Sequence, residues 1–187
     1  MIKQMMIFAA VLLLSVSSVN ALEVGGANLD ESLKIGNTDL VLNGAGVRNK
    51  FFLDVYACGL YLKEKTQDSK KIIDADEPMA IRISVLSGLM SADKMIGAYE
   101  EGFINSTNNN VDPLKDKIAI FIDGHKGEFG KKDVLDISYD PATGTTVTIK
   151  GKVTATVPGL DFKKAVFGIW LCDKPAQKDL KKKMLGK

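Results

Sequence analysis

The chain of 187 residues carries a formal charge of +2, with 26% charged side chains. That near-neutral balance excludes nucleic acid as a partner chosen by overall charge, and gives no reason to expect an anionic membrane as the main one. With 45% hydrophobic residues the composition is that of an ordinary globular protein.

At the N-terminus Lys3 precedes an apolar run from Met5 to Val16, and Val19-Asn20-Ala21 sets small residues at cleavage positions. This is the pattern of a secretory signal peptide. The run is shorter than the ~20 residues of a spanning helix, and polar residues follow it. Residues 1–21 are therefore expected to be removed, leaving 22–187 as one domain in the periplasm or outside the cell, with no stable membrane insertion. No cysteine sits near the cleavage point to accept a lipid. An oxidising destination permits a bridge between Cys58 and Cys172. Cys58, however, lies in an apolar strand pattern and reads as a small buried hydrophobe.

From Leu22 to Leu62 the chain reads as two or three antiparallel strands, the last one long, punctuated by Gly25-Gly26, Gly36-Asn37 and Gly44-Ala45-Gly46. Gln67 to Asp74 has the pattern of a short amphipathic helix, and Met79 to Leu86 that of a strand. Ser91 is placed to cap a helix from Ala92 to about Asn105, whose buried face is Met95, Ala98, Tyr99 and Phe103. A further helix spans Pro113 to Ile122. Strands follow at Val134–Tyr139, Thr145–Ile149 and Val153–Val157, then a helix over Phe162–Leu171. A last basic helix is expected from Pro175 to Leu185. Strands first, helices in the middle, strands again and helices last give an α+β domain, an antiparallel sheet with helices on one face.

The usual reactive constellations are missing from this sequence. The single histidine, His125, stands beside Gly124 in what reads as an exposed turn, without the carboxylate and hydroxyl of a triad. Neither a Cys-x-x-Cys nor a His-x-x-x-His spacing is present for zinc, and no 12-residue calcium loop occurs, so no metal is expected. Gly44-Ala-Gly46 leads into a strand, whereas a phosphate loop leads into a helix, so no nucleotide cofactor is expected either. Glu100 and Glu101 are adjacent on a helix and diverge, which rules them out as an acid–base pair. The lysines of KDLKKKMLGK suit a solvated helix face and the C-terminal end of its dipole.

One stretch resists a purely structural account. "NGAGVRNKFFLDVYACGLYL", Asn43 to Leu62, sets Arg48 among apolar residues with Tyr56 and Tyr61. In an unbroken strand Arg48 and Tyr56, eight apart, share a face and Tyr61 takes the other; a bulge would change that parity. A guanidinium cannot shed its charge, and burial costs several kcal/mol without an anionic or strongly dipolar partner. Two readings stay open on the residues alone. Arg48 is either exposed or ion-paired to a residue such as Asp54 or Glu64, or it faces a ligand carboxylate.

The same stretch resembles the opening motif of the chalcone isomerase superfamily, a G-x-G-x-R segment leading into a strand with V-Y-x-x-G-x-Y-like residues. "GLDFKKAVFGIWLCDKPAQKDLKKKMLG" resembles the C-terminal segment of its bacterial exported members, with Cys172 where their pattern has glycine. The resemblance implies an open-faced β-sandwich, a large antiparallel sheet with a layer of helices on one face and a ligand cleft between them. It implies that Arg48 is the anion-binding arginine, and that Tyr56 helps it hold a carboxylate, as in the fatty-acid-binding members; true isomerases carry threonine there. The tyrosine and asparagine of the isomerase helix have no evident counterparts, Tyr99 and Asn105 being the nearest. The expected function is non-catalytic binding of a small amphipathic acid such as a fatty acid by Arg48 and Tyr56, with no catalytic residue; the alternative is a ring-closing intramolecular lyase.

Overall fold

The computed structural model describes residues 21–187. The order is β1 (Ala21–Val24), β2 (Ala27–Asp30), β3 (Ser32–Ile35), β4 (Thr38–Lys50), β5 (Leu53–Leu62), α1 (Ser69–Asp74), β6 (Met79–Val85), α2 (Ala92–Ser106), a 3-10 turn (Asp112–Leu114), α3 (Lys115–Asp123), β7 (Val134–Asp140), β8 (Gly144–Ile149), β9 (Lys152–Val157), α4 (Leu160–Leu171) and α5 (Lys178–Met184). Strands β3 to β9 form one antiparallel sheet in sequence order, and β1–β2 is a separate hairpin. Each strand of the sheet pairs with the next in sequence; α1 lies between β5 and β6, α2 and α3 between β6 and β7, and α4 and α5 follow the last strand.

The main core lies between the sheet and α4, on which α1 and α2 pack. Helix α4 is buried from Phe162 nearly to its end, with Val166, Phe167 and Leu171 inaccessible to solvent; each such side chain contributes about 1.5–3 kcal/mol. The other face is not fully open. Leu40, Leu42, Tyr61 and Ala80 form a smaller cluster there, and the β1–β2 hairpin brings Leu29 to Gly59. Strand β5 is therefore buried at every position from Val55 to Leu62. Tyr61 lies on this outer face, as its parity predicts, and donates to the Asp30 carbonyl at 2.9 Å. Arg82 holds Asp136 with two parallel bonds at 2.8 and 2.9 Å and Asp30 at 2.7 Å.

Lys163 lies wholly inside the protein and still finds three acceptors. Its ammonium donates to the carbonyls of Ile72, Ile73 and Ala75 at 2.6, 3.0 and 2.7 Å. These are the orphan acceptors at the end of α1, so a cation from α4 ends that helix and ties the two together. Burial brings its pKa down to about 8.

Several expectations need correction, beginning with the region from Leu22 to Leu62, which falls within five strands and not two or three. Gly44 and Gly46 are not turn residues but lie inside β4. The stretch from Asn43 to Leu62 is not one strand but a hairpin: Lys50 pairs with Leu53, and Phe51 and Phe52 form the two-residue turn, both at positive φ (50° and 66°). Such turns normally use Asn-Gly or Asp-Gly, so two phenylalanines read as strand. The last helix starts at Lys178, with Pro175 in the segment before it. His125 is fully buried rather than exposed. Its ring packs on Tyr99 and Phe121 with centroids 4.6 and 4.5 Å apart, and Nδ1 donates to the Phe121 carbonyl at 2.8 Å. The turn after α3 folds back onto the core, which its polar sequence concealed. Of the expected face of α2, Met95, Tyr99 and Phe103 are buried with Gly102, whereas Ala98 is only half-buried. Both cysteines are free thiols. The expected signal peptide lies outside the described residues except for Ala21.

The glycines of β4 have a mechanical role. Gly44, Gly46 and Arg48 pair with Leu60, Cys58 and Tyr56, so all three face the helices. A Cβ at Gly44 would collide with the Lys183 carbonyl oxygen, and one at Gly46 would stand 2.9 Å from the Lys183 Cβ. Bare backbone on alternate residues lets α5 lie directly on the strand. Asn43, at a bulge, fastens the end of the helix by donating to the Met184 carbonyl at 2.8 Å.

Gly44→Ala is therefore expected to destabilise the fold by about 3 kcal/mol in urea unfolding. Gly97→Ala, in α2 with open space around it, should be neutral or stabilise by about 0.5–1 kcal/mol. His125 supplies a pH dependence. Burial holds its pKa down at about 4 against an ordinary 6.5, so the unfolded chain binds the proton more tightly. Its contribution is complete above pH 6.5 and is lost as pH falls toward 4, by about 3 kcal/mol in all. Urea midpoints measured across that window should fall less steeply in His125→Gln than in the parent.

Candidate functional site

Arg48 and Tyr56 come together by a route that differs from the one the sequence suggests. They lie on two strands, directly opposite each other across the β4–β5 ladder. Cross-strand partners share a face and stand within side-chain reach, so the pair forms although the strand is broken between them. A second register shift, between Arg48 and Asn49, closes the ladder toward the Phe51–Phe52 turn.

Arg48 is half-buried, and its Nη1 donates to the backbone carbonyl of Ala176. The segment before α5 reaches that position because α5 lies on the two glycines that precede Arg48 on the same face. Next to it, Gln177 accepts from the Asn49 amide at 2.9 Å. Among the described residues Arg48 forms no ion pair: Asp54 instead takes the Asn49 side chain. A guanidinium has five N–H donors, and one carbonyl leaves most of them available.

Tyr56 is almost completely buried. Its hydroxyl accepts from Trp170 Nε1 at 3.2 Å and has no acceptor for its own proton among the described residues. Burial, with the Cys58 thiol beside it, pushes the phenol pKa well above its ordinary value despite Arg48 nearby. Tyr56 is thus a neutral hydrogen-bond donor at any physiological pH. Trp170 fixes its orientation from α4. The sequence offered Trp170 only as part of an apolar helix, and the carbonyl of Ala176 carries no sequence signal at all.

These two side chains line a cavity of about 460 Å³ between the sheet and α2. That is within the 300–1,000 Å³ range of small-molecule sites. Its apolar walls come from Phe51, Leu53 and Val55 on one side and Leu89, Met90 and Ala98 on the other. Lys50, Lys94 and Glu101 are the remaining charged side chains around it, so with Arg48 three of four charges are positive. Lys94 also donates to the Leu89 carbonyl at 2.7 Å, pinning the loop that forms the far wall. An apolar space carrying one guanidinium and one phenol is suited to a chain with a single anionic end.

Tyr99 and Asn105 do not take part. Tyr99 is fully buried against Phe121, His125 and Trp170, with ring centroids 5.1, 4.6 and 6.1 Å away. Asn105 lines a different hollow, with Ser69, Lys70 and Cys172. Among the described residues no group of three or more His, Cys, Asp or Glu side chains is placed to hold a metal. No described helix is long and apolar enough to cross a membrane.

No curated protein matches the chain in sequence. A solved structure of a fatty-acid binding protein from Arabidopsis thaliana superposes on it with a TM-score of 0.69 at 20% identity, over 86% of this chain and 92% of that one. The likeness is one of fold, with the curled seven-stranded sheet and its helices on one side in common. A family model described as chalcone isomerase-like matches residues 21–186, and the chain belongs to the chalcone isomerase-like family.

Proposed function

We propose that this protein is an exported, non-catalytic carrier of a small amphipathic acid, with a long-chain fatty acid as the best fit. The observation that carries this reading is the convergence of Arg48 and Tyr56 on the apolar cavity, with donors left over on both. A carboxylate between them would accept a charge-assisted bond from the guanidinium and a second from the phenol. Its alkyl chain would then lie along Val55, Leu89 and Met90. Export is supported by the N-terminal pattern of Lys3, an apolar run and small residues at Val19 to Ala21. The fold shared with a protein named for fatty-acid binding agrees with this reading.

Titration of the purified protein with oleate tests the assignment. Arg48→Ala should weaken binding by about tenfold or more, the loss of a charge-assisted pair. Tyr56→Phe, which keeps the ring and removes one donor, should cost about 1 kcal/mol, or roughly fivefold. Unaltered affinity in Arg48→Ala, with circular dichroism showing an intact fold, would refute the role given to the arginine. The compartment is checked separately by the N-terminal mass of the protein recovered from the periplasm or medium, expected to begin at Leu22.

A further inference from the structure

The β4–β5 turn is built from residues that harm a turn. Phe51 and Phe52 both adopt positive φ, the left-handed region that bulky side chains avoid. Phe52 is fully exposed, at 106%, and Phe51, at the lip of the cavity, is 84% exposed. Neither folding nor solubility accounts for the choice, since Asn-Gly would make the same turn with less strain and no exposed apolar surface. Strain kept at an exposed site points to a use for that site.

The surroundings indicate what the tip meets. Leu53 and Leu89, 50% and 62% exposed, continue the apolar surface from the turn to the cavity mouth. Lys50 lies over the Phe51 ring at 5.9 Å, and Lys94 stands on the opposite rim. The two phenylalanines offer about 400 Å² of apolar surface. That is about half of the roughly 800 Å² each partner contributes to a stable protein interface, and a projecting tip needs a socket to be buried by a rigid surface. A fluid bilayer needs none: it closes around the rings while lysines at the rim meet anionic headgroups.

We propose that the Phe51–Phe52 turn is a reversible docking tip for anionic lipid bilayers, inserting at the boundary of headgroups and acyl chains and holding the cavity mouth against the lipid. Docking is read from the tip and needs no bound ligand. That an amphipathic acid then passes directly between membrane and cavity rests on the fatty-acid reading above.

The test uses the protein expressed from its full chain and purified as the cell processes it, with vesicles of phosphatidylcholine alone or mixed equally with phosphatidylglycerol. Phe52→Trp places a reporter at the tip, against a constant background from Trp170, which is buried. Its emission should shift to the blue on mixed vesicles and be quenched by brominated acyl chains, whatever the N-terminus does. In a parallel co-sedimentation assay the double variant Phe51→Asn/Phe52→Gly should bind mixed vesicles about tenfold more weakly or worse, while its Tm rises because the new residues suit the turn. Salt should weaken docking of the parent. Arg48→Ala should dock normally and fail only in oleate uptake, so loss of the ligand reading leaves docking standing. Emission from the Phe52→Trp variant that stays unshifted and unquenched on mixed vesicles overturns the proposal. So does unchanged sedimentation of the double variant, or a tip that blue-shifts only as the protein self-associates without lipid.

Discussion

The structure depends on the close approach of α5 to β4. Helices pack on sheets through side chains, which keep the two backbones well apart; here alternate residues of one strand face are glycine, so backbone meets backbone at Gly44 while the Lys183 and Leu180 side chains rest on Gly46. Once α5 lies there, the extended segment before it is bound to pass beside the next residue on that face, which is Arg48. The arginine is thereby given a neutral acceptor, the Ala176 carbonyl, in place of a carboxylate. Its charge is held and oriented but, among the described residues, not neutralised.

The same logic explains Tyr56. A buried phenol ordinarily commits its hydroxyl to one partner as donor. Trp170 can only donate, so by occupying the oxygen from α4 it leaves the phenolic proton unused. Two parts of the chain distant in sequence, the segment before α5 and α4, each offer the β4–β5 pair a partner of the wrong kind to satisfy it fully. What results is a cavity with polar capacity in reserve, whereas Lys163, with three carbonyls for its three donors, is complete and has a structural role. The contrast between these two buried or half-buried cations is one of donors used: three carbonyls for Lys163, one for Arg48.

The hairpin tip stands on the other side of that balance. Strands β4 and β5 extend past Arg48 and Tyr56 to a turn whose rings are among the most exposed side chains described. One wall of the cavity, with Arg48 and Lys50, and the exposed tip are thus consecutive parts of a single hairpin, the other wall coming from Leu89 to Glu101.

Much of this was legible in the chain. Periodicity located the helices at Ala92 and Phe162 and the closing strands within a residue or two, and turn chemistry gave the antiparallel order, because these depend on local propensity and on which face each residue offers the core. Parity put Tyr61 opposite Tyr56, and the motif carrying Gly44, Gly46 and Arg48 drew attention to the stretch that lines the cavity. Tertiary structure alone decided the rest. A pair of phenylalanines has strand propensity, so only the pairing of Lys50 with Leu53 reveals that they turn. His125 looks exposed from its polar neighbours and is buried because α3 ends against Tyr99. Arg48 has two candidate carboxylates nearby in sequence and bonds instead to a carbonyl 128 positions away, since a backbone acceptor has no sequence signature and is located only by the packing that brings it there.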